Sequence, residues 1–237
     1  MNDAWKKILS FYLVIVICTF GIKTMIARAH TDKVSGTVRG VARRSRPSLI
    51  ALDLNFDGKV DLITTGEDNG TVCIFLGKGD GTFKEATQYA VGDDPSSAIV
   101  DDFNLDGKVD LAVTSEDAGT VAILLGKGDG TFKEATRYAA GDDPSSIVAA
   151  DFNRDTKADL AVANEDSGTV SILLGKGDGS FKDATQYVIG DEPSSIISID
   201  FNWDGKLDLA VADEDSGSIS ILPGKGDGTF QDLQKMK

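Results

Sequence analysis

Short runs of apolar residues, separated by Gly, Asp and Asn, recur along the chain from residue 48 to residue 230. In the second and third units such runs are Leu111–Thr114, Thr120–Leu125, Phe132–Tyr138 and a run that begins at Ser145. Aliphatic and β-branched residues dominate three of these runs, whereas Phe132–Tyr138 alternates polar and apolar side chains, as expected of a half-exposed outer strand. Helical periodicity is absent after the first 29 residues. The pattern predicts four short strands in each unit.

The strand pattern repeats four times with a constant period of 49 residues. Each unit contains D-x-N-x-D-G-x-x-D or a close variant, beginning at Asp53, Asp102, Asp151 and Asp200, followed by L-A-V, E-D-x-G-T-V and L-L-G-K-G-D-G-T-F segments. A fixed period is typical of repeat architectures, and four strands per unit form a propeller blade. We therefore predict an all-β fold, a β-propeller of four four-stranded blades over residues 47–237, preceded by an N-terminal signal helix.

The D-x-N-x-D-G-x-x-D segments have the composition of Ca²⁺-binding loops. Positions 1, 3, 5 and 9 supply hard oxygen ligands, and position 7, where Ca²⁺ loops use a main-chain carbonyl, is lysine. The predicted ligands are Asp53, Asn55, Asp57, Lys59 and Asp61 in the first unit, Asp102, Asn104, Asp106, Lys108 and Asp110 in the second, Asp151, Asn153, Asp155, Lys157 and Asp159 in the third, and Asp200, Asn202, Asp204, Lys206 and Asp208 in the fourth. We expect about four Ca²⁺ ions, one per repeat.

Position 6 of these loops needs a backbone that folds back around the ion, which favours glycine. Gly58, Gly107 and Gly205 meet this need, but the third loop has Thr156. We therefore expect the third site to bind Ca²⁺ most weakly. The alternative is that the loops are solvated acidic turns.

The first 29 residues are typical of a signal peptide. Lys6 and Lys7 precede an apolar run from Ile8 to Ile22, and Ala27-Arg28-Ala29 resembles a cleavage site, which predicts export with cleavage after Ala29. The alternative is an uncleaved membrane anchor, although this run is short against the ~20 residues that span a bilayer. After cleavage Cys73 is the remaining cysteine, so bound Ca²⁺ rather than an intramolecular disulfide is expected to stabilise the exported chain.

Charge is distributed unevenly along the chain. Residues 1–47 contain 9 of the 24 Lys and Arg but 2 of the 38 Asp and Glu, so the repeats are strongly acidic. Nucleic acids and anionic membrane surfaces bind clustered Lys and Arg, and the acidic repeats argue against both as partners. Cations, basic proteins and neutral glycans remain as candidate partners, and a membrane only if the leader is not cleaved.

The segments D-F-N-x-D-G-K-x-D-L-A-V and S-G-T-V-S-I-L-L-G-K-G-D-G-T-F resemble the FG-GAP/VCBS repeats of integrin-α-type β-propellers, over residues 48–230. The resemblance implies an extracellular Ca²⁺-binding propeller used in adhesion and recognition. Propellers of this family usually have seven blades, whereas this chain has four units. A closed four-bladed ring, an open arc and completion by another chain all remain open.

The two ends of the repeat region bear on that choice. The fourth unit lacks the Y-x-x-G-D-x-P tail after Phe230, so we expect it to end one strand short. Residues 30–46 form a basic arm that contains the strand-like segment Val34–Val41. This segment could close the ring or be donated to a neighbouring subunit, because open β-edges recruit partners.

Alternation of strand direction sorts the loops of a blade onto two faces. The metal loops and G-K-G-D-G turns should share one face, and the E-D turns and G-D-D-P links the other. The second face collects acidic residues at which we expect no Lys or Arg: Glu67, Asp68, Asp93, Asp94, Glu116, Asp117, Asp142, Asp143, Glu165, Asp166, Asp191, Glu192, Glu214 and Asp215. This face could dock the basic arm of a neighbour, giving a homo-oligomer or filament through residues 30–46, or it could serve solubility alone.

An enzyme is not predicted. The single histidine, His30, adjoins the predicted cleavage point, and the carboxylate pairs recur in every unit as scaffold turns do. Trp203, inside the fourth metal loop, could stack on a sugar. The favoured function is a secreted or cell-surface Ca²⁺-binding module for adhesion or recognition of protein or glycan, and the alternative is a structural subunit of an extracellular filament or surface layer.

Overall fold

A computed structural model describes residues 48–66 and 69–236. The predicted signal peptide (1–29) and basic arm (30–46) lie outside the described residues. No helix within the described part of the chain is long and apolar enough to cross a membrane.

The described residues form sixteen strands, four for each repeat. The first blade contains β1 (Leu49–Leu52), β2 (Asp61–Gly66), β3 (Thr71–Phe75) and β4 (Thr87–Ala90). The second contains β5 (Pro95–Asp101), β6 (Asp110–Ser115), β7 (Thr120–Leu124) and β8 (Thr136–Ala139). The third contains β9 (Pro144–Ala150), β10 (Asp159–Asn164), β11 (Thr169–Leu173) and β12 (Thr185–Val188). The fourth contains β13 (Pro193–Ile199), β14 (Asp208–Asp213), β15 (Ile219–Leu222) and β16 (Gln234–Met236).

Each group of four strands is an antiparallel sheet in which the strands are ordered as in the sequence. In the first blade Ile50 pairs with Ile63 and Leu62 with Phe75, and the other blades repeat this register. The all-β fold of four four-stranded blades is confirmed. The outer strands are shorter than expected: β8 begins at Thr136, and Phe132 instead forms an isolated bridge with Gly126 within the preceding turn.

The expectation that the fourth blade ends one strand short is wrong. Its fourth strand, β16, pairs with β15 through Ile221 with Gln234, Ser220 with Lys235 and Ile219 with Met236. Main-chain pairing at a sheet edge does not require the aromatic tail found in the other units, so the sequence pattern missed this strand. The closing or donated strand predicted within residues 30–46 lies outside the described residues.

The apolar core lies between successive blades. One cluster joins blades 1 and 2 around Ile63 and Leu111, one joins blades 2 and 3 around Ile123 and Leu160, and one joins blades 3 and 4 around Ile172 and Leu209. Four blades in a closed ring would have four such interfaces, whereas the described residues have three. Within the described residues the blades therefore form an open arc.

The loops sort onto two faces as predicted. Gly77, in the turn after β3, contacts the metal loop of its own blade through Asp61, which places both on one face. Glu116, in the turn after β6, donates to the carbonyl of Asp94 in the link between blades, which places these two on the other face. The prediction that no Lys or Arg reaches this second face is wrong, because Arg137 donates to the carbonyl of Val91 at 3.0 Å and Lys235 lies beside Gly190.

Candidate metal-binding loops

Each predicted metal loop is closed by hydrogen bonds from its backbone to its own side-chain oxygens. In the first loop the Asp57 N–H donates to Asp53 Oδ1 at 3.1 Å and to Asn55 Oδ1 at 3.0 Å, and the Gly58 N–H donates to Asp53 Oδ2 at 2.8 Å. The same three bonds close the other loops. The side-chain oxygens at positions 1 and 3 thus lie close together beside the N–H group of position 5, as expected of a loop that surrounds a hard cation such as Ca²⁺.

The aspartate at position 9 has a structural role that the sequence pattern did not reveal. Asp61 is fully buried, and its Oδ2 accepts from the Leu54 N–H at 3.0 Å while its Oδ1 accepts from the Gly77 N–H at 2.7 Å. Asp110, Asp159 and Asp208 make the same pair of bonds. This residue therefore joins the metal loop to the turn that follows the third strand.

Burial of these aspartates changes their acidity in two blades. Removal from water disfavours the charged carboxylate and raises the pKa of Asp110, and likewise that of Asp159, from the ordinary 3.8 to about 6. The donated backbone N–H groups oppose this effect in part. A cation bound nearby would favour the charged form and lower both pKa values again.

The lysine at position 7 pairs with the aspartate at position 5, which the sequence analysis did not anticipate. Lys59 Nζ lies 3.0 Å from Asp57 Oδ2, and the equivalent pairs in the other loops are 2.9 to 3.1 Å apart. The hydrogen bond from the lysine lowers the pKa of Asp57, of Asp106 and of Asp204. The ammonium group thus stands beside a carboxylate that was predicted to bind Ca²⁺.

These geometries test the fit of the loops to Ca²⁺. Within the described residues no three Asp, Glu, His or Cys side chains gather into a group that could hold a metal ion. The donor types and the closed backbone suit Ca²⁺, but the position-5 carboxylate has to exchange its lysine partner for the ion. Asp53, Asn55 and Asp57, with the Lys59 carbonyl and Asp61, would then hold the ion in the first loop.

The backbone of the loops is strained at position 4. The φ angles of Phe56, Leu105, Arg154 and Trp203 lie between 57° and 63°, in the left-handed region that non-glycine residues rarely adopt. At position 6, Thr156 adopts a φ of 68°, close to the 79° to 82° of Gly58, Gly107 and Gly205. Thr156 also donates to Asp151 Oδ2 at 2.8 Å as the glycines do, so the third loop closes like the others at the cost of strain.

Sequence comparison identifies the repeats. The profile of the FG-GAP-like repeat matches residues 53–101, 102–162 and 151–211. The chain belongs to the FG-GAP-like repeat family. No curated protein sequence matches it significantly.

Solved structures with a similar fold share little sequence with these FG-GAP-like repeats. A putative 6-phosphogluconolactonase from Bacteroides fragilis aligns with a TM-score of 0.60 and 22% identity, over 86% of this chain and 62% of that one. One from Bacteroides uniformis aligns with a TM-score of 0.60 and 18% identity, over 85% and 62%. A lectin from Agrocybe aegerita that specifically recognises non-reducing terminal N-acetylglucosamine aligns with a TM-score of 0.55 and 21% identity, over 82% and 53%.

These similarities support the fold alone. The chain spans between about half and three fifths of the length of the solved structures it matches. FG-GAP-like repeats are generally not enzymes, and the similarity to the two putative lactonases is too low in sequence to carry over an activity.

The position-4 side chains of the FG-GAP-like repeats project from the metal-loop face. Phe56 and Leu105 are exposed there, and Trp203 is 90% exposed. Arg154, at the same position in the third loop, donates instead to the carbonyl of Gly205 and so links the third loop to the fourth. The sequence already aligns these four residues at one loop position, and the structure adds that all four share a left-handed backbone.

The opposite face of the FG-GAP-like repeats contains a shallow polar recess. It is lined by Glu165, Asp166, Ser167, Gly168, Gly190, Asp191 and Glu192. Part of the acidity of this face has a structural use: the buried Asp213 carboxylate accepts from the N–H and the hydroxyl of Ser216 at 2.8 Å. Asp213, at the end of β14, is therefore a structural carboxylate beside this face and is not available to a partner.

Proposed function

We propose that this protein is a secreted or cell-surface Ca²⁺-binding recognition module for a protein or glycan. The observation that carries the proposal is the hydrogen-bonded loop that recurs in all four blades and places a large side chain in a strained backbone at position 4. A left-handed non-glycine residue costs about 1–2 kcal/mol, so its recurrence in four loops supports a bound ligand whose contacts offset this strain. The lectin among the similar folds is in keeping with a recognition role.

The proposed recognition surface is the metal-loop face. When bound, Ca²⁺ supplies a fixed positive centre to which sugar hydroxyls or carboxylates can be attracted. Asp53, Asn55 and Asp57 keep the first loop closed, and Asp61 fixes it to the rigid turn after β3. The exposed Phe56, Leu105 and Trp203 offer apolar contact beside the ion. Similar weak sites on one face would gain strength by binding several parts of one ligand.

Terbium luminescence tests the metal part of the proposal directly. Tb³⁺ replaces Ca²⁺ in oxygen-ligand sites and emits when a nearby tryptophan is excited, and Trp203 lies within the fourth loop. We expect saturable emission that Ca²⁺ displaces and that Trp203→Phe abolishes, because the other tryptophan, Trp5, belongs to the predicted signal peptide. Absence of emission from the unaltered chain, together with no rise in Tm on adding Ca²⁺, would refute Ca²⁺ binding.

The recognition part needs its own test. The protein is applied to glycan arrays and to immobilised extracellular matrix proteins with Ca²⁺ or with a chelator. We expect Ca²⁺-dependent binding that weakens when Trp203 or Phe56 is replaced by Ala, whereas Val188→Ala, an exposed apolar substitution on β12, has no effect. Binding that is insensitive to both metal-loop substitutions would place recognition elsewhere.

A structural subunit of a filament or surface layer is the second candidate, favoured by the acidic face. Head-to-tail docking of the arm at residues 30–46, with Arg39, Arg43, Arg44 and Arg46, onto that face would assemble it. Deleting residues 30–46 should then abolish assembly seen by negative-stain electron microscopy. A recognition module would keep its ligand binding after the same deletion.

A further inference from the structure

The arc of blades ends in two sheet faces that carry exposed apolar residues. The first, called here the blade-1 face, is formed by Leu49, Ala51, Leu62, Cys73 and Phe75. These residues alternate along their strands with Ile50, Ile63, Val72 and Ile74, which pack against blade 2. The blade-1 face therefore points away from the rest of the arc.

The blade-1 face has a buried counterpart in every other blade. Shifted by the 49-residue period, its positions become Ala98, Val100, Leu111, Ala122 and Leu124 of blade 2. All five belong to the apolar cluster through which blade 2 packs on blade 1. The blade-1 face is thus the half of an interblade interface that receives the preceding blade.

The face at the other end, called here the blade-4 face, is the complementary half. It is formed by Ile197, Ile199, Phe201, Ile219 and Ile221. One period earlier in the chain these positions are Val148, Ala150, Phe152, Val170 and Ile172, all of which contribute to the cluster through which blade 3 packs on blade 4. The blade-4 face is therefore the half that the next blade would cover.

Exposure of equivalent residues shows how incomplete these two ends are. Leu49 is 64% exposed, whereas Ala98, Ile147 and Ile196 are 8%, 5% and 5% exposed. Ile219 is 43% exposed, whereas Val72, Val121 and Val170 are fully buried. Phe201 is 43% exposed, against 3% for Phe103 and Phe152. The interface chemistry is retained at both ends although neither is covered within the described residues.

We propose that the blade-4 face of one copy of this chain docks on the blade-1 face of a second copy. The two faces are the complementary halves of an interface that already occurs three times within the arc, so the occupant that fits them is another copy of the same repeat. Such a head-to-tail contact closes when two copies cover each other's ends, which gives a two-fold ring of eight blades.

At two of the existing interfaces a serine hydroxyl bonds to the next blade. Ser96 Oγ donates to the carbonyl of Pro144 in the next blade at 2.7 Å, and Ser145 Oγ donates to that of Pro193 at 2.9 Å. The equivalent Ser194 donates at 3.5 Å to the carbonyl of Ala212 in its own blade. Within the described residues Ser194 therefore lacks the bond to a following blade that Ser96 and Ser145 make.

Sedimentation velocity of the full chain under reducing conditions, over about 0.1–100 μM, tests the proposal. We expect a species of twice the monomer mass, and Leu49→Asp and Ile197→Asp should each raise its Kd at least tenfold, because each places a charge in both junctions. Val188→Asp is the matched control, since Val188 is exposed on β12 away from both faces. The circular dichroism of the variants shows whether they fold.

Mixing the two variants separates head-to-tail docking from other contacts. Ile197→Asp leaves the blade-1 face intact and Leu49→Asp leaves the blade-4 face intact. An equimolar mixture should therefore regain one junction and form a heterodimer at concentrations at which either variant alone is monomeric. A monomer at every concentration, or a dimer that Val188→Asp weakens as much as the other two substitutions, overturns the proposal. Assemblies larger than a dimer that both face variants disrupt would support the docking and overturn the two-copy ring.

Discussion

Thr156 gives the most direct test of the reasoning about loop strain. Its φ of 68° places a β-branched residue in the left-handed region, which costs about 1–2 kcal/mol. Replacing it with Gly removes that cost but adds about 0.5–1 kcal/mol of chain entropy to be lost on folding. We expect Thr156→Gly to increase the free energy of unfolding by roughly 0.5–1 kcal/mol, which raises Tm by a few degrees in a domain of this size.

Gly107 offers the reciprocal substitution in the second loop. Its φ is 79°, and a Cβ built on it meets no atom within 4 Å, so Gly107→Thr tests conformational strain without a clash. Urea denaturation in the presence of a chelator, monitored by tryptophan fluorescence and circular dichroism, should show that Gly107→Thr lowers the free energy of unfolding by a similar amount. Repeating the denaturation of both variants in Ca²⁺ shows whether Thr156→Gly increases the affinity of the third loop for the ion. A loss of stability in Thr156→Gly, or no loss in Gly107→Thr, would refute the strain argument.

Three further predictions follow from the buried aspartates and the glycine that contacts one of them. Without Ca²⁺, Tm should rise as pH falls from 7 to about 4, because Asp110 and Asp159, with their raised pKa of about 6, take up protons in the folded state that they do not take up in the unfolded state. Saturating Ca²⁺ should remove this rise. A Tm that falls over the same pH range without Ca²⁺ would contradict the prediction. Asp110→Ala leaves the buried N–H groups of Phe103 and Gly126 without their acceptor and should lower the free energy of unfolding by about 2–4 kcal/mol, as measured by urea denaturation. The loss for the exposed Asp106→Ala should be much smaller. Gly126→Ala should lower Tm more than Gly81→Ala. A Cβ on residue 126 would lie 2.1 Å from the carbonyl oxygen of Val109, whereas a Cβ on residue 81 would meet no atom within 4 Å. Equal changes in Tm would contradict this prediction.

The fold could be predicted because the same sequence pattern recurs in every blade. The period of 49 residues, four apolar runs per period and Gly or Asp at each break fixed strand number, order and the two loop faces. Strand ends were harder to predict. Phe132 has the pattern of an outer strand but lies in a bridge before β8, and β16 forms from Gln234–Met236 by main-chain pairing that its side chains do not signal.

The candidate site was predicted by composition but not by geometry. The loop positions and the glycine requirement could be read directly from D-x-N-x-D-G-x-x-D. The pairing of Lys59 with Asp57 could not, since a lysine at position 7 is equally compatible with a side chain in solvent. Nor could the two backbone bonds of Asp61, because one of its partners, Gly77, lies in a turn 16 residues away.

The hydrogen bonds of Asp61 and its equivalents bear on how the arc tolerates a change in the number of repeats. Each ties its metal loop to the turn after the third strand, and the turns of blades 3 and 4 donate to the loop of the preceding blade, from Gly179 to Phe103 and from Gly228 to Phe152, both at 3.1 Å. These hydrogen bonds thus connect the metal loops and turns of blades 2, 3 and 4 along the metal-loop face. A gene that gains or loses one 49-residue unit keeps the same kind of interface between neighbouring blades and the same two end faces. Blade number in this protein is accordingly a quantity that duplication can change without inventing a new interface.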